Sequence, residues 1–145
     1  MTSDFSLALH ILGFLTASAD KPLTSEILAE TYGTNPVVVR RVLSKLRNAG
    51  FIRTQRGTGG GSLLARESTG ITIREVFESV HEKSGILPRP PGETGPVSEI
   101  ISSYVNDLLS KAEEALLEDL GRTTIAEMDE KVRPEICAFL CKREN

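Results

Sequence analysis

The sequence is poor in cysteine, and it contains no long apolar run. Two cysteines among 145 residues are too few for a disulfide framework, which excludes the small secreted proteins held together by several disulfides. No stretch approaches the roughly 18–20 uninterrupted apolar residues that a membrane-spanning helix needs. The first four residues lack the basic group that is typical of a signal peptide. We therefore expect a cytoplasmic protein.

Histidine is also scarce, and no residue pattern is typical of catalysis or of a metal site. His10 and His81 each stand alone, outside any Ser/His/Asp or paired-carboxylate arrangement. The glycines of residues 57–61 are not followed by the Gly-Lys-Ser/Thr of a phosphate-binding loop. Cys137 and Cys141 alone provide too few ligands for zinc. We expect neither an enzyme nor a cofactor.

Charge is distributed unevenly along the chain. The net charge is −3, yet residues 36–74 carry eight basic side chains and one acidic side chain. The flanking segments, residues 1–35 and 75–145, are both acidic. A basic block between acidic flanks produces a local positive field that attracts polyanions, although an ordinary solvated surface is the alternative interpretation.

Three helices are predicted in the first fifty residues. Apolar residues at three- and four-residue steps predict a helix over residues 5–15, and Thr24 is typical of the N-cap of a second, short helix. Asn35 and Pro36 then suit the start of a third helix, which Gly50 ends. This third helix carries four of the basic side chains, so it is the candidate DNA-recognition helix.

A glycine-rich hairpin follows the third helix. Residues 51–56 and 62–66 are rich in strand formers, and residues 57–61 (GTGGG) form the turn between them. The alternative interpretation of that turn is a loose surface loop. A capping box at residues 72–75 (TIRE) starts another helix.

The second half of the chain begins with residues 84–96, which hold four prolines and three glycines and read as a linker or mobile loop. An apolar seam at helical spacing predicts a long helix over about residues 97–120, and a capping box at 124–127 (TIAE) predicts a short helix after it. We divide the chain into a winged-helix DNA-binding domain (1–83), a loop (84–96), a long dimerisation helix (97–121) and a C-terminal helix (122–145).

The order of these elements predicts a fold that is mainly α with a small β-wing, a winged helix-turn-helix followed by a long C-terminal dimerisation helix. The major groove of DNA, about 12 Å wide, admits one helix, whose first half meets base edges while its flanks meet phosphates. Glycines keep the wing thin because they lack a Cβ, so it can approach the minor groove. Arg56 lies at the base of the wing, where a cation can enter that groove.

Three segments closely resemble the bacterial iron–sulfur cluster regulator (IscR)-like family, which also contains NsrR and CymR. These segments are residues 42–52 (VLSKLRNAGFI), 55–66 (QRGTGGGSLLAR) and 71–76 (ITIREV). The resemblance implies a homodimeric winged-helix transcription factor, usually a repressor, that binds a palindromic operator in double-stranded DNA.

Position by position, the resemblance implies base contacts from the start of the recognition helix and minor-groove contacts from the wing. Val37 and Val38 are suited to thymine methyl groups, which leaves Arg40 and Arg41 for hydrogen-bonded readout. The predicted DNA-binding residues are Asn35, Val37, Val38, Arg40, Arg41, Ser44, Lys45, Arg47, Arg53, Arg56, Gly57, Thr58, Gly59, Gly60 and Gly61.

The sequence departs from the family in the cysteines that bind an iron–sulfur cluster. Cluster-binding relatives carry three cysteines before the long helix, whereas residues 84–96 contain none, so we do not predict an iron–sulfur cluster for this chain.

The long helix has more apolar seam than a small domain covers, which favours a two-fold dimer. The predicted dimerisation residues are Ile101, Tyr104, Val105, Leu108, Ala112 and Leu116.

Two alternatives remain open from the sequence. A winged helix can be a protein-docking module that does not bind DNA, and steep salt dependence of duplex binding would distinguish the two functions. The regulator can also respond to thiol chemistry or to a ligand, through residues 84–96 or through Cys137 and Cys141. We interpret the two cysteines first as small apolar side chains. The sequence identifies no effector.

Overall fold

The computed structural model describes residues 3–81, 85–89 and 94–145. The described chain is mainly helical with one two-stranded antiparallel sheet, which confirms the predicted fold class. No helix in these ranges is both long enough and apolar enough to span a membrane. The elements are α1 (Ser3–Ala17), α2 (Ser25–Tyr32), α3 (Pro36–Asn48), β1 (Ile52–Gln55), β2 (Gly61–Leu64), a 3-10 turn (Ser68–Gly70), α4 (Ile73–Val80), α5 (Pro96–Leu120) and α6 (Ile125–Glu144).

Helix α1 forms the centre of the core. It packs against α2, α3, α4, α6 and β2, and for this reason apolar side chains cover most of its surface. The stripe predicted from its three- and four-residue spacing is confirmed, since Leu7, Ile11 and Leu12 are almost completely buried. Phe5 adds an edge-to-face contact with Phe77 of α4, with ring centroids 5.1 Å apart.

Local capping defines α2 and α3 as the sequence predicts. The Thr24 side chain accepts a hydrogen bond from the backbone N–H of Ile27, and Gly33 ends α2 in the left-handed conformation at φ 81°. The Asn35 side chain caps α3 by accepting from the N–H of Val38, with Pro36 at the first helical position. The apolar face of α3 is buried, and its opposite face, which carries most of its basic side chains, is exposed.

The hairpin forms with strands slightly shorter than the predicted 51–56 and 62–66. Strand β1 ends at Gln55 and β2 begins at Gly61, because residues 56–60 are taken up by the turn. The Leu23 N–H donates to the Ser62 carbonyl at 3.1 Å, and the Ser62 N–H donates back at 2.8 Å. A Cβ on Gly61 would lie 2.6 Å from the Leu23 oxygen, so only glycine permits this close approach.

Helix α6 is longer than the short helix predicted after residue 124. Both capping boxes form, at Thr72 and at Thr124, but α6 continues past Pro134 to Glu144. Its apolar face packs against α1, and Ile136 of α6 is buried in that interface. Tertiary packing therefore outweighs the helix-breaking tendency of an interior proline here.

Helix α5 leaves the packed domain, and none of its 25 residues is buried. It contacts α4, and the segment 85–89 anchors its middle. There Glu113 accepts the backbone N–H groups of Ile86 and Leu87 and pairs with Arg89 at 2.9 Å. The described part of the predicted 84–96 loop is thus tied to α5, while residues 84 and 90–93 lie outside the described residues.

Candidate nucleic-acid interface

The first half of α3 presents a mixed apolar and basic surface to solvent. Val37 is 70% exposed, which is unusual for a valine, whereas Val38 is half-buried and packs against the core. Ser44 is exposed seven residues after Val37, about two helical turns further along α3. The Asn35 side-chain oxygen is used by the helix cap, and the residue itself remains exposed. Of the two valines, the structure therefore presents Val37 to solvent for an apolar contact.

Two of the predicted DNA-binding cations on α3 are held by one buried carboxylate. The Asp4 side chain accepts from Arg41 at 2.5 Å and from Lys45 Nζ at 2.9 Å. Burial pulls the pKa of Asp4 upward, but the hydrogen bonds and charges of Lys45 and Arg41 outweigh that effect and hold the pKa below its ordinary value. Asp4 therefore stays ionised and fixes both cations against the start of α1.

Arg40 of α3 is hydrogen-bonded to two residues at the start of α2. Its guanidinium donates to Ser25 Oγ at 3.1 Å and to Glu26 Oε1 at 2.6 Å. The Glu26 backbone N–H, the Ser25 hydroxyl and Arg40 all lower the pKa of the Glu26 carboxyl. Both partners are more than half exposed, so water screens this pair strongly.

Other predicted cations are exposed without a carboxylate partner among the described residues. Arg47 lies near the end of α3, Arg53 lies on β1, and Arg56 opens the turn of the wing. Their charge is therefore available to a polyanion, in contrast with the charge of Arg41 and Lys45, which Asp4 partly neutralises. The predicted DNA-binding cations thus fall into two groups. Arg40, Arg41 and Lys45 are paired with carboxylates, and Arg47, Arg53 and Arg56 have no carboxylate partner among the described residues.

The wing and the recognition helix border one cleft of about 320 Å³. The cleft is lined by Arg40 and Arg47 of α3, by Ser25 and Glu26 of α2, and by Gln55, Gly57, Gly60 and Gly61 of the wing, among others. Gly57, Thr58 and Gly59 are exposed at the tip, and the Gly60 N–H closes the turn on the Gly57 carbonyl at 3.0 Å. The structure therefore brings α3 and the wing to one side of the domain.

Sequence reasoning missed the acidic partners of the recognition helix. Asp4 lies 37 residues from Arg41 and 41 from Lys45, and Glu26 lies 14 from Arg40. No local spacing rule links residues this far apart. The one available signal was an acidic side chain in the first turn of α1 and of α2, which is typical of helix N-termini in general.

The exposed face of α5 is the second functional candidate. Of the large apolar side chains exposed in the described part of the chain, five lie on this helix. Ile101, Tyr104 and Leu108, all predicted at the dimer interface, are 57%, 65% and 48% exposed. Of the other predicted residues, Ala112 is exposed, and Val105 and Leu116 are half-buried. Val97 and Ile100, which were not predicted, extend the apolar face toward the start of the helix.

One protein family matches nearly the whole chain. Residues 1–131 match the sequence profile of the Rrf2 family, which is described as iron-dependent transcriptional regulators. The chain belongs to the Rrf2 family. It is accordingly a DNA-binding transcription regulator and not an enzyme, and the resemblance to IscR-like regulators is confirmed.

Individual relatives of this Rrf2 protein are regulators as well. YwnA of Bacillus subtilis, a candidate HTH-type transcriptional regulator, is 28% identical over 130 residues, covering 88% of this chain and 96% of YwnA. The HTH-type transcriptional regulator IscR of Yersinia enterocolitica is 28% identical over 122 residues, covering 74% of this chain and 70% of IscR.

Solved structures share the fold of this Rrf2 protein. The crystal structure of a candidate DNA-binding protein matches with a TM-score of 0.72 and 26% identity, covering 86% of this chain and 97% of that one. CymR, the global cysteine regulator of Bacillus subtilis, matches with a TM-score of 0.69 and 20% identity, covering 90% of this chain and 96% of CymR. At that identity the match to CymR shows the fold alone.

The residues of this Rrf2 protein do not fit an iron–sulfur cluster held by thiolates. Such clusters normally take cysteine thiolates as their ligands. This chain has two, Cys137 and Cys141, which lie four residues apart on α6. Within the described ranges no group of three or more His, Cys, Asp or Glu side chains is close enough to hold a metal ion.

Proposed function

We propose that this Rrf2 protein is a dimeric, cytoplasmic repressor that binds a palindromic operator without an iron–sulfur cluster. In each subunit α3 enters the major groove and the wing enters the adjacent minor groove. The observation that carries the proposal is the shared cleft, around which α3 and the hairpin present Arg40, Arg47 and the glycine turn to one side. Repression then requires only that the bound dimer occupies the operator.

The division of the cations assigns them different roles in this proposal. Arg56, exposed and without a carboxylate partner among the described residues, enters the minor groove, where negative potential is strongest over A·T-rich DNA. Arg47 and Arg53 contact phosphates and position the domain. Arg40 and Arg41 reach base edges near the exposed Val37 when DNA displaces them from Glu26 and Asp4.

The dimer in this proposal forms through α5. Monomeric proteins rarely leave so large an apolar face in contact with water, and a C2 dimer buries the same face of both copies. A two-fold axis at α5 then places the two recognition helices one DNA turn, about 34 Å, or a multiple of that apart. The operator is therefore palindromic because the protein is symmetric.

The test is a titration of Arg56→Ala against an operator selected from a random duplex pool. We expect the affinity to fall by about 1–3 kcal/mol, the usual scale of one specific contact. Arg122→Ala is the matched control, because Arg122 is 71% exposed just beyond the end of α5 and, among the described residues, forms an ion pair with Glu118 alone. Equal affinity of the two variants would show that the wing does not contact DNA.

The salt dependence of the same titration tests the alternative of a protein-docking module. Several phosphate contacts make the affinity fall steeply as salt rises, because each contact releases a counterion. A docking module would bind no duplex even at low salt.

Iron measured in the purified dimer by elemental analysis tests the absence of a cluster, and stoichiometric iron would overturn that part of the proposal.

A further inference from the structure

A cavity of about 460 Å³ lies where α6, the α1–α2 connection and the wing meet. This volume falls within the range of about 300–1,000 Å³ that is usual for small-molecule sites. The residues that line it include Lys21, Leu23, Gly59, Cys137, Leu140 and Cys141. The two cysteines of the chain therefore open onto one cavity, which the wing helps to form.

The two thiols remain separate nucleophiles in this position. Cys137 is half-buried and Cys141 is exposed, and both are free. Their spacing of four residues places them on one face of α6, but the Cβ vectors of such a pair do not converge as a disulfide requires. Oxidation to an internal disulfide would therefore have to unwind the helix, which favours chemistry at a single sulfur.

Apart from the charged Arg143 and Glu144, the rest of the wall suits an apolar molecule that carries a carbonyl group. Leu140 contributes an apolar surface, and Lys21 contributes an ammonium group held by Glu144 at 2.8 Å. The ammonium provides a hydrogen-bond donor beside the thiols. A carbonyl oxygen that accepts from Lys21 would bring the adjoining carbon atoms close to a cysteine sulfur.

We propose that this cavity captures small apolar molecules with an α,β-unsaturated carbonyl, by addition of one of its thiols. The thiolate sulfur forms a bond to the β-carbon, and the carbon–carbon π pair moves to the α-carbon. That carbon takes a proton from water, which replaces the proton lost by the thiol, so the addition needs no oxidant. The thiolate is the reactive form of cysteine.

The cavity couples such an adduct to DNA binding, and this part of the inference rests on the proposed function. Gly59 lies in the wing turn, and Leu23 is paired with Ser62 of β2 through two backbone hydrogen bonds. A molecule that fills the cavity contacts both elements and displaces the wing from its position beside α3. The adduct should therefore weaken operator binding.

The experiment treats the purified protein with benzylideneacetone, an apolar enone, and follows adducts by intact-protein and peptide mass spectrometry. Operator affinity is measured on the same samples. We expect an adduct on Cys137 or Cys141 that forms faster than with the urea-unfolded chain, and a loss of affinity of about tenfold, within the usual range of coupling between two sites. The Cys137→Ser/Cys141→Ser variant should bind the operator as the untreated wild type does, form no adduct, and keep that affinity after treatment with the enone.

Benzylacetone, the saturated ketone with the same carbon skeleton, separates occupancy from covalent capture. An equal loss of affinity with benzylacetone would overturn the covalent step. An adduct rate no faster than that of the unfolded chain would overturn the site, and an adduct that leaves affinity unchanged would overturn the coupling. Untreated protein that binds no duplex would refute the proposed function, while the adduct rate still tests the cavity.

Discussion

The Asp4→Asn substitution should have opposite effects on stability and on DNA binding. Asp4 is buried, with only 10% of its side chain exposed, and its carboxylate holds Arg41 and Lys45. Asparagine keeps the shape and one acceptor oxygen but removes the negative charge. The folded protein then loses an ion pair to each of two cations, and α3 gains net positive charge beside the proposed DNA surface.

The magnitude follows from the burial of the partners. A hydrogen bond to a charged group contributes about 1.5–3 kcal/mol when well shielded, but Arg41 is 56% and Lys45 34% exposed, so water screens both. We expect a loss of about 1–2 kcal/mol, which lowers Tm by roughly 3–8 °C in a chain of this size. Glu26→Gln is the matched control, because its side chain is 61% exposed and water screens its ion pair, so the change should lower Tm much less than Asp4→Asn does.

The pH dependence checks that the charge of Asp4 is responsible. Because Lys45 and Arg41 lower the pKa of Asp4 in the folded state, its contribution is fully present above the ordinary value of 3.8 and is lost as the pH falls through the lower, folded pKa. Urea unfolding should therefore separate wild type from Asp4→Asn at pH 7, and the difference should shrink below about pH 4.

DNA binding provides the second readout for the same variant. Removing the carboxylate frees two cations, so duplex affinity at low salt should rise several-fold and the dependence of log Kd on log salt should steepen by about 1–2. Unchanged unfolding at pH 7 would show that Asp4 contributes nothing to stability. Weaker DNA binding with normal stability would show that Asp4 orients the cations instead of neutralising them.

Three further predictions test separate parts of the molecule. Burial lowers the pKa of His10 below its ordinary value of 6.5, so the free energy of unfolding of the wild type should fall as the pH drops below 6.5. Urea unfolding of His10→Gln should show no such fall. If the fall persists in the variant, His10 is not its cause. The added Cβ of Gly61→Ala would meet the Leu23 oxygen, so this variant should lose about 1–3 kcal/mol of stability in thermal unfolding and bind the operator more weakly. Gly70→Ala has open space around its Cβ and should change neither stability nor binding. Ile101→Glu should yield monomers in sedimentation, while Ser103→Glu, the same charge elsewhere on α5, should leave a dimer; a dimeric Ile101→Glu would exclude this face.

Much of the local structure was predictable because its causes act over a few residues. The caps at Thr24 and Asn35 and the capping boxes at Thr72 and Thr124 each depend on atoms within three or four positions, and all four form. The burial of one face of α3 likewise follows from helical spacing. The helix that begins after Thr124 was expected to be short, within a C-terminal segment of residues 122–145, and α6 extends to Glu144 because an apolar interface with α1 stabilises it across Pro134.

The candidate interface was predictable in outline only. The order of a basic helix and a glycine-tipped hairpin is a property of the sequence, and the cleft shows both on one side of the domain. The sequence could not show that Arg41 and Lys45 share a buried carboxylate while Arg56 lacks one among the described residues. That distinction depends on where the first turn of α1 packs.

The sequence by itself determined the order of the helices, the capped ends and the basic hairpin, since spacing and capping act along the chain. Tertiary structure alone decided which cations are neutralised, which side of α5 stays uncovered, and that both cysteines open onto a cavity beside the wing. The physical reason is distance along the chain. Asp4 meets Lys45 across 41 positions, and Lys21 meets Glu144 across 123, so packing of the core had to bring each pair together.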